Sequence, residues 1–241
     1  MLTSDTTVTW DGGKVRGRRV LRLGAIELSS TPVRPDPVRA RHVALEAVRS
    51  GGLDVASLTK NGESLRRRLA LAHRVFGDPW PDVSDEALLA CAEEWLDLDA
   101  LAAGRGSDAA SGLRGLLGWR ESARLDEVVP ETITVPSGSR IRIDYPEPGS
   151  DTSPVLAVKL QECFGWADGP TVCDGRVRVV LHLLSPARRP LAVTDDLASF
   201  WASVYPAVRV ENRGRYSKHP WPEDPMTATP TKRTNRALRG N

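Results

Sequence analysis

The chain has 241 residues, with 33 Lys and Arg against 31 Asp and Glu and a formal net charge of +2. A hydrophobic content of 40% and a charged content of 27% are typical of a globular protein and exclude a disordered or fibrous one. The length suits one large domain or two small ones.

Residues 8–33 predict β-strands, because apolar side chains alternate on either side of a glycine turn at residues 11–13. Such a small sheet is stable only with further strands or a helix to pack against. We therefore expect apolar strand surface, such as Ile26 and Leu28, to be exposed wherever helices do not cover it.

Residues 34–129 predict a helical region. Asp36 and Ser84 are placed to cap two of its helices, since short polar side chains accept hydrogen bonds from the first free N–H groups of a helix. Three consecutive arginines, residues 66–68, lie between these caps. We interpret them as a solvated helix face rather than as an RNA-binding face.

Residues 130–225 predict a mixed domain of strands and helices. Segments 132–135 and 140–145 alternate like the strands of a hairpin, and residues 176–184 alternate in the same way. Apolar residues recur at helical spacing in residues 154–164, so a helix is favoured there over a strand.

The end of the chain predicts a last helix and a tail. Thr194 is expected to cap the helix, and residues 226–241 are expected to form a disordered basic tail, because they have little apolar surface to bury. The elements together predict the α+β fold class.

No catalytic motif is found along the chain. A phosphate-binding loop requires a glycine where Val8 stands and a hydroxyl residue where Val15 follows Lys14. Residues 85–88 read DEAL and resemble the acidic DEAH motif of helicases, but they begin a helix and end in leucine. The four histidines lack metal-ligand spacing. We expect no catalytic, cofactor or metal site in this chain, and no ATP hydrolysis by it alone.

Cysteine usage and hydropathy favour a cytoplasmic protein. Cys91, Cys163 and Cys173 are an odd number, at spacings that suit neither a disulfide framework nor a zinc site. The opening residues lack the pattern of a signal peptide, and no stretch of about 18 apolar residues occurs. A membrane location is therefore not expected.

The most distinctive stretch is residues 213–225, where basic and aromatic residues alternate with prolines. It suits a nucleic-acid strand, because cations bind phosphates and aromatic faces stack on bases. The alternative is that Tyr216 and Trp221 pin an extended segment onto the domain. The candidate nucleic-acid-binding residues are Arg213, Arg215, Tyr216, Lys218, His219, Trp221, Arg140 and Arg142.

Several stretches, in a fixed order, carry a family resemblance. They are VPSGSRIRIDY at 135–145, LAVKLQE at 156–162, LHLLSPA at 181–187, VTDDL at 193–197, RGRY at 213–216 and KHPWP at 218–222. Together they resemble the bacterial DEAH-box RNA helicases of the HrpB type. RLGAI at 22–26 and SDEALL at 84–89 also resemble this family, so the likeness covers nearly the whole chain.

The resemblance implies a layout of two RecA-like motor domains, a winged helix, a helical bundle and an OB-fold, followed by a family-specific C-terminal domain. On this chain it implies the end of an OB-fold-like domain at residues 1–33, the helical region at 34–129, the HrpB-type C-terminal domain at 130–225 and the tail at 226–241. The motor domains lie outside the chain, as part of the same protein or as a split partner.

The function that the resemblance implies is a non-catalytic accessory region of an ATP-dependent helicase. Such a region would help the motor domains to bind RNA or another nucleic acid, or to couple their activity to it. ATP and Mg are expected only in those motor domains, which carry the hydrolase activity of the parent protein. The alternative function is a protein-docking module with no nucleic-acid role.

Overall fold

The computed structural model describes residues 2–106 and 108–236. The chain divides into two compact units, residues 1–122 and residues 123–241. Helices and several small sheets are present, which confirms the predicted α+β class. Over the described residues, no helix is both long enough and apolar enough to cross a membrane.

The first unit begins with an antiparallel meander of three strands: β1 (Leu2–Asp11), β2 (Lys14–Leu23) and β3 (Ile26–Val33). On the central strand, Val15 and Val20 are buried, and α1 and α6 pack against this strand. On β3, Ile26 and Leu28 remain 66% and 51% exposed. The expected exposed apolar strand surface is therefore present, although three strands alone do not define an OB-fold.

A helical layer follows the sheet. Its helices are α1 (Pro37–Gly51), α2 (Leu53–Ala56), α3 (Lys60–Phe76), α4 (Asp85–Ala90), α5 (Ala92–Trp95), α6 (Leu98–Ala102) and α7 (Ala109–Gly115), with α8 (Trp119–Val128) leading into the second unit. Asp36 caps α1 by accepting a hydrogen bond from the N–H of Arg39, and Ser84 caps α4 by accepting one from Ala87. Both predicted caps are confirmed, because capping depends on residues only three positions apart.

The arginines of α3 differ from their prediction as a solvated face. Arg66 and Arg68 are buried, with 7% and 3% of their surface exposed. The Nε of Arg66 donates to the carbonyl oxygen of Val83 at 2.9 Å, and its Nη2 pairs with the carboxylate of Asp85. The prediction was wrong because the helical pattern treats arginine as polar, whereas a buried arginine can pack its stem and satisfy its guanidinium inside the protein.

After α8, the described residues of the second unit form short strands and two further α-helices. They are β4 (Thr132–Thr134), β5 (Arg140–Arg142), β6 (Val155–Lys159), β7 (Thr171–Val172), β8 (Val177–Arg178), β9 (Val180–Leu184), β10 (Pro190–Thr194), α9 (Leu197–Ser199) and α10 (Tyr205–Arg215). The central sheet has the order β10–β9–β6, in which β9 is antiparallel to β10 and parallel to β6. β4 pairs with β5, and β7 pairs with β8, in two hairpins.

Residues 154–164 do not form the predicted helix. They form β6 and then a 3₁₀ turn, Leu160–Cys163. Leu156, Val158 and Leu160 are fully or almost fully buried, and this spacing of two is that of a strand. A short apolar run fits both periods, and pairing with the distant β9 decides between them.

The cap of the last helical stretch lies two residues after the predicted Thr194. Thr194 ends β10, and its hydroxyl accepts a hydrogen bond from the N–H of Asp196 at 3.0 Å. Asp196 is the cap, since its carboxylate accepts from the N–H of Ser199 at 2.9 Å. A π-helical turn, Phe200–Val204, then joins α9 to α10.

The stretch of residues 226–236, for which the sequence predicts disorder, makes defined contacts. Thr231 is 5% exposed, and its N–H donates to the carbonyl oxygen of Gln161 at 2.8 Å. The N–H of Asn235 donates to the carbonyl oxygen of Lys218 at 2.8 Å. Backbone hydrogen bonds, which leave no apolar pattern in the sequence, account for the difference. Residues 237–241 of the predicted tail lie outside the described residues.

We expect Arg66→Ala to lower the free energy of unfolding by about 2 kcal/mol, because it leaves a cavity and a Val83 carbonyl without its donor. Urea denaturation measures the change. Arg49→Ala is the matched control, since Arg49 pairs with Glu46 and Glu93 at the surface, where such pairs contribute roughly 0.5 kcal/mol. Equal losses in both variants would contradict the structural role of Arg66.

Candidate nucleic-acid interface

A cleft of about 660 Å³ opens on the second unit beside β5 and β6. Five cationic side chains line it: Arg140, Arg142, Lys159, Arg188 and Lys232. Glu162 is the one acid in this lining among the described residues. We call this site the basic cleft. Its excess of four positive charges creates a positive potential that attracts anions.

Four separate parts of the fold supply the cations, of which the stretch beyond α10 contributes Lys232. Arg140 and Arg142 lie two residues apart on β5, so they point to the same side of that strand. Lys159 ends β6, where it pairs in register with Leu184 at the end of the parallel β9. Arg188 lies in the turn that follows β9. The cleft thus depends on pairing between strands far apart in sequence.

Arg188 has a backbone conformation that is unusual for its residue type. Its φ is +60°, in the left-handed region that side chains with a Cβ rarely adopt. The turn is closed around it, because the N–H of Arg188 donates to the carbonyl oxygen of Ser185 and the hydroxyl of Ser185 accepts from the N–H of Arg189. An arginine where glycine would be unstrained is consistent with a functional constraint on its side chain.

The cations of the basic cleft differ in whether they form hydrogen bonds or ion pairs with other residues. The guanidinium of Arg140 donates to the hydroxyl of Thr132 at 3.2 Å, and Arg142 lies 3.7 Å from the carboxylate of Glu131. Across residues 2–106 and 108–236, no acid forms an ion pair with the remaining three, Lys159, Arg188 and Lys232. The charges of these three are therefore not neutralised by a described carboxylate.

Glu162 is held at the cleft by the turn between β4 and β5. It is only 6% exposed, and its carboxylate accepts a hydrogen bond from the hydroxyl of Ser137 at 2.7 Å. Its backbone carbonyl accepts a second one from the N–H of Ser137 at 3.3 Å. Within the described part of the chain, no Lys or Arg is close enough to Glu162 to form an ion pair with it.

The predicted terminal segment, residues 213–225, begins in the last turn of α10. Arg213, Arg215 and Lys218 are exposed. The guanidinium of Arg215 stacks over the ring of Tyr216, at 5.8 Å from the ring centroid. The segment therefore presents cations to solvent beside an aromatic ring, and its nucleic-acid role stays a prediction.

Two residues of α10 that the sequence did not single out anchor this segment. The hydroxyl of Tyr205 donates to the carbonyl oxygen of Pro222 at 2.8 Å, and the Nε of Arg209 donates to that of Trp221 at 2.9 Å. Burial raises the pKa of Tyr205 to about 12, so its hydroxyl remains a donor at neutral pH. No sequence signal identifies such anchors, because their acceptors are backbone carbonyls.

Tyr216 and Trp221 are half-buried rather than enclosed. The indole N–H of Trp221 donates to the carbonyl oxygen of Tyr216 at 3.3 Å, which closes the segment on itself. The terminal segment is therefore attached to the domain, but Tyr205 and Arg209 of α10 contribute much of this attachment. Both rings keep part of their surface open to solvent.

The basic cleft and the terminal segment are neighbours. His219 lies close enough to Lys159 for the lysine charge to act on it, and burial together with that charge lowers the pKa of His219. The carbonyl oxygen of Lys218 accepts a hydrogen bond from Asn235, three residues beyond Lys232. Because a lowered pKa leaves His219 neutral at pH 7, it adds a polar ring to this surface rather than a charge.

The chemistry that this arrangement offers is anion binding. Among the described residues no cluster of His, Cys, Asp and Glu is arranged to hold a metal ion. The cations surround a cleft, and aromatic rings with open surface lie near it. This combination suits a phosphate backbone with bases attached.

Comparison with known proteins shows that the chain is similar to part of several helicases. The HrpB C-terminal family model, described as "ATP-dependent helicase C-terminal", matches residues 92–225. The chain is 41% identical over 245 residues to the ATP-dependent RNA helicase HrpB of Escherichia coli (strain K12). It is also similar to two crystal structures from Escherichia coli, the DExH-box NTPase HrpB (42% identity, TM-score 0.77) and the DEAH/RHA helicase HrpB (40% identity, TM-score 0.65).

These matches cover almost all of this chain and a minor part of each relative. They cover 98% of the chain for the curated protein and 97% and 91% for the two crystal structures. The chain spans 30%, 30% and 29% of the length of those proteins.

Arg188→Gly is expected to leave the free energy of unfolding unchanged or to raise it by up to about 1 kcal/mol, because glycine adopts a positive φ without strain. The same change removes a cation from the basic cleft, so the affinity for an oligouridylate should fall. Urea denaturation and fluorescence anisotropy measure the two quantities.

Arg189→Gly is the matched control, since Arg189 is exposed, lies outside the cleft lining and has no positive φ. It should lower the free energy of unfolding by about 0.5 kcal/mol and leave the affinity nearly unchanged. Lower stability with unchanged affinity in Arg188→Gly would contradict the proposed reason for its conformation.

Proposed function

Since the chain belongs to the HrpB C-terminal family of ATP-dependent helicases, we propose that it is a non-catalytic accessory region that binds nucleic acid on behalf of an ATP-driven motor. Motor domains in the same protein, or as a split partner, would supply ATP and Mg binding and the hydrolysis. The chain itself would contribute surface for the strand that the motor moves. The name of the curated relative supports RNA as that strand.

The basic cleft is the observation that carries this proposal. Five cations converge on one concave site, although the net charge of the whole chain is only +2. Three of them form no ion pair with a described acid, so a polyanion would not have to displace existing partners. Such a concentration of positive charge favours a phosphate backbone, whose charges lie at regular intervals.

The terminal segment extends the proposed interface. A strand bound in the basic cleft would pass His219, which lies close to Lys159, and reach the exposed cations Arg213, Arg215 and Lys218. Tyr216 and Trp221 would offer their open faces to bases. Stacking on such rings tolerates any sequence, because every base has an aromatic face.

The protein-docking alternative explains the basic cleft less well. A peptide groove needs apolar pockets for side chains, or an open strand edge for main-chain pairing. Four apolar residues, Ile141, Ala157, Val158 and Leu184, share the lining with five cations, so a peptide bound there would have to be acidic. An acidic peptide would satisfy the charges, so competition between nucleic acid and polyglutamate separates the two interpretations.

The triple variant of Arg140, Lys159 and Arg188 to alanine is expected to lower the slope of log affinity against log salt by about 2. Each lost contact with a single-strand phosphate removes roughly 0.7 from that slope. Fluorescence anisotropy with an oligouridylate at several salt concentrations measures it. The affinity should fall without a change in sequence preference.

A control triple with the same loss of charge consists of exposed arginines in the first unit, Arg39, Arg114 and Arg120. Its salt slope should remain close to that of the unaltered protein. An equal drop in both triples would mean that net charge alone drives binding, and the basic cleft would then lose its assigned role.

Trp221→Ala is expected to reduce the affinity for an oligouridylate by about 1 to 3 kcal/mol, through loss of a stacking face. The backbone carbonyl that Arg209 holds remains, so the denaturation midpoint should change little. Tyr205→Phe is the companion variant, because it removes the anchor to Pro222 and leaves both rings in place. If Trp221→Ala loses about 3 to 5 kcal/mol of stability at unchanged affinity, the segment is a structural strap.

A further inference from the structure

We propose that Glu162 gives the basic cleft a preference for RNA over DNA, by accepting a hydrogen bond from a ribose 2′-hydroxyl group. This inference rests on the proposed function, since it requires a nucleic-acid strand in the cleft. It adds a specificity-determining residue to a site whose cations alone would bind either nucleic acid.

A buried carboxylate inside a basic cleft is unfavourable for phosphate binding, so its presence requires an explanation. Glu162 lines the cleft, although only 6% of its surface is exposed. One carboxylate oxygen, Oε2, accepts from Ser137 at 2.7 Å. The other, Oε1, accepts no hydrogen bond from the described part of the chain and is not sealed away from solvent.

The acceptor of Glu162 selects for a donor on the ligand. Phosphate oxygens only accept hydrogen bonds, and they would be repelled by the carboxylate. In a sugar-phosphate backbone, the 2′-hydroxyl is the group that can donate, and deoxyribose lacks it. Hydrogen bonds to a charged acceptor are stronger than neutral ones, so one such contact is sufficient for a measurable preference.

The carboxylate is held in place before any ligand binds. The turn that carries Ser137 is closed by hydrogen bonds between Val135 and Ser139 and from the N–H of Gly138 to Val135, at 3.0 and 2.8 Å. The φ of Gly138 is +79°, which a side chain with a Cβ would rarely adopt. A fixed acceptor loses little conformational entropy on binding, which favours selectivity.

The cations around Glu162 define where a sugar would lie. Arg140 and Lys159 line the same cleft as Glu162, and Lys159 precedes Glu162 by three residues in the chain. Successive phosphates bound by these two side chains would flank one sugar. That sugar would lie over the carboxylate.

The experiment compares three ligands that share one base, because base edges also carry donors. They are an oligouridylate, its 2′-O-methyl form and an oligodeoxyuridylate of equal length. The 2′-O-methyl form keeps an oxygen but has no hydrogen to donate. With the full chain we expect the oligouridylate to bind about tenfold more tightly than either of the others, which is the effect of one hydrogen bond to a charged group.

Glu162→Gln should reduce this preference to about threefold or less, because its one amide oxygen stays with Ser137 and its NH2 group, which only donates, takes the place of Oε1. It should also strengthen binding of all three ligands, since the repulsion of phosphate is removed. The amide can still accept from Ser137, so the fold is expected to persist, and the urea midpoint checks this. Asp168→Asn is the matched control, because Asp168 is exposed and outside the cleft.

The outcomes separate the two proposals. If none of the three oligomers binds at low salt, the proposed function fails, and this inference fails with it. If all three bind with equal affinity, the proposed function stands and the role of Glu162 is overturned. A preference for the oligouridylate that survives Glu162→Gln unchanged also overturns it.

Discussion

The parallel pairing of β6 with β9 is the constraint on which the basic cleft depends. Because the two strands run in the same direction, their carboxyl ends lie at one edge of the sheet, with Lys159 opposite Leu184. The chain leaves β6 through the turn that contains Glu162 and leaves β9 through the turn that contains Arg188. Side chains that follow parallel strands meet at this edge, as in other open sheets that bind ligands there.

This dependence explains how much of the site the sequence could predict. Arg140 and Arg142 were found because alternation within one strand is local and visible. Lys159 and Arg188 were not found, because their proximity requires a pairing between strands some twenty residues apart. The predicted helix over residues 154–164 concealed it further, since it placed Lys159 on a helix rather than at a strand end.

The fold shows the same division between local and distant causes. Ser84 was predicted as a cap because its acceptor and its donor lie within one turn of helix. Arg66 was misinterpreted because its partners, Val83 and Asp85, come from a later part of the chain that folds back on α3. The domain layout was predicted from the family resemblance, because helix caps and helical periodicity carry no information about it. The position of the chain within a helicase therefore came from ordered motifs and not from periodicity.

In the second unit, the side chains that anchor the terminal segment are different from the cationic side chains that the segment exposes to solvent. Tyr205 and Arg209 bind carbonyl oxygens of the terminal segment, and a backbone acceptor is present whatever side chain the residue carries. Arg213, Arg215 and Lys218 are consequently free to remain in solvent. The proposed accessory surface would need this separation, because a strand that is passed along by a motor must be bound and released repeatedly. Contacts from exposed cations are weak individually and are screened by salt, so they permit release while the anchors preserve the fold.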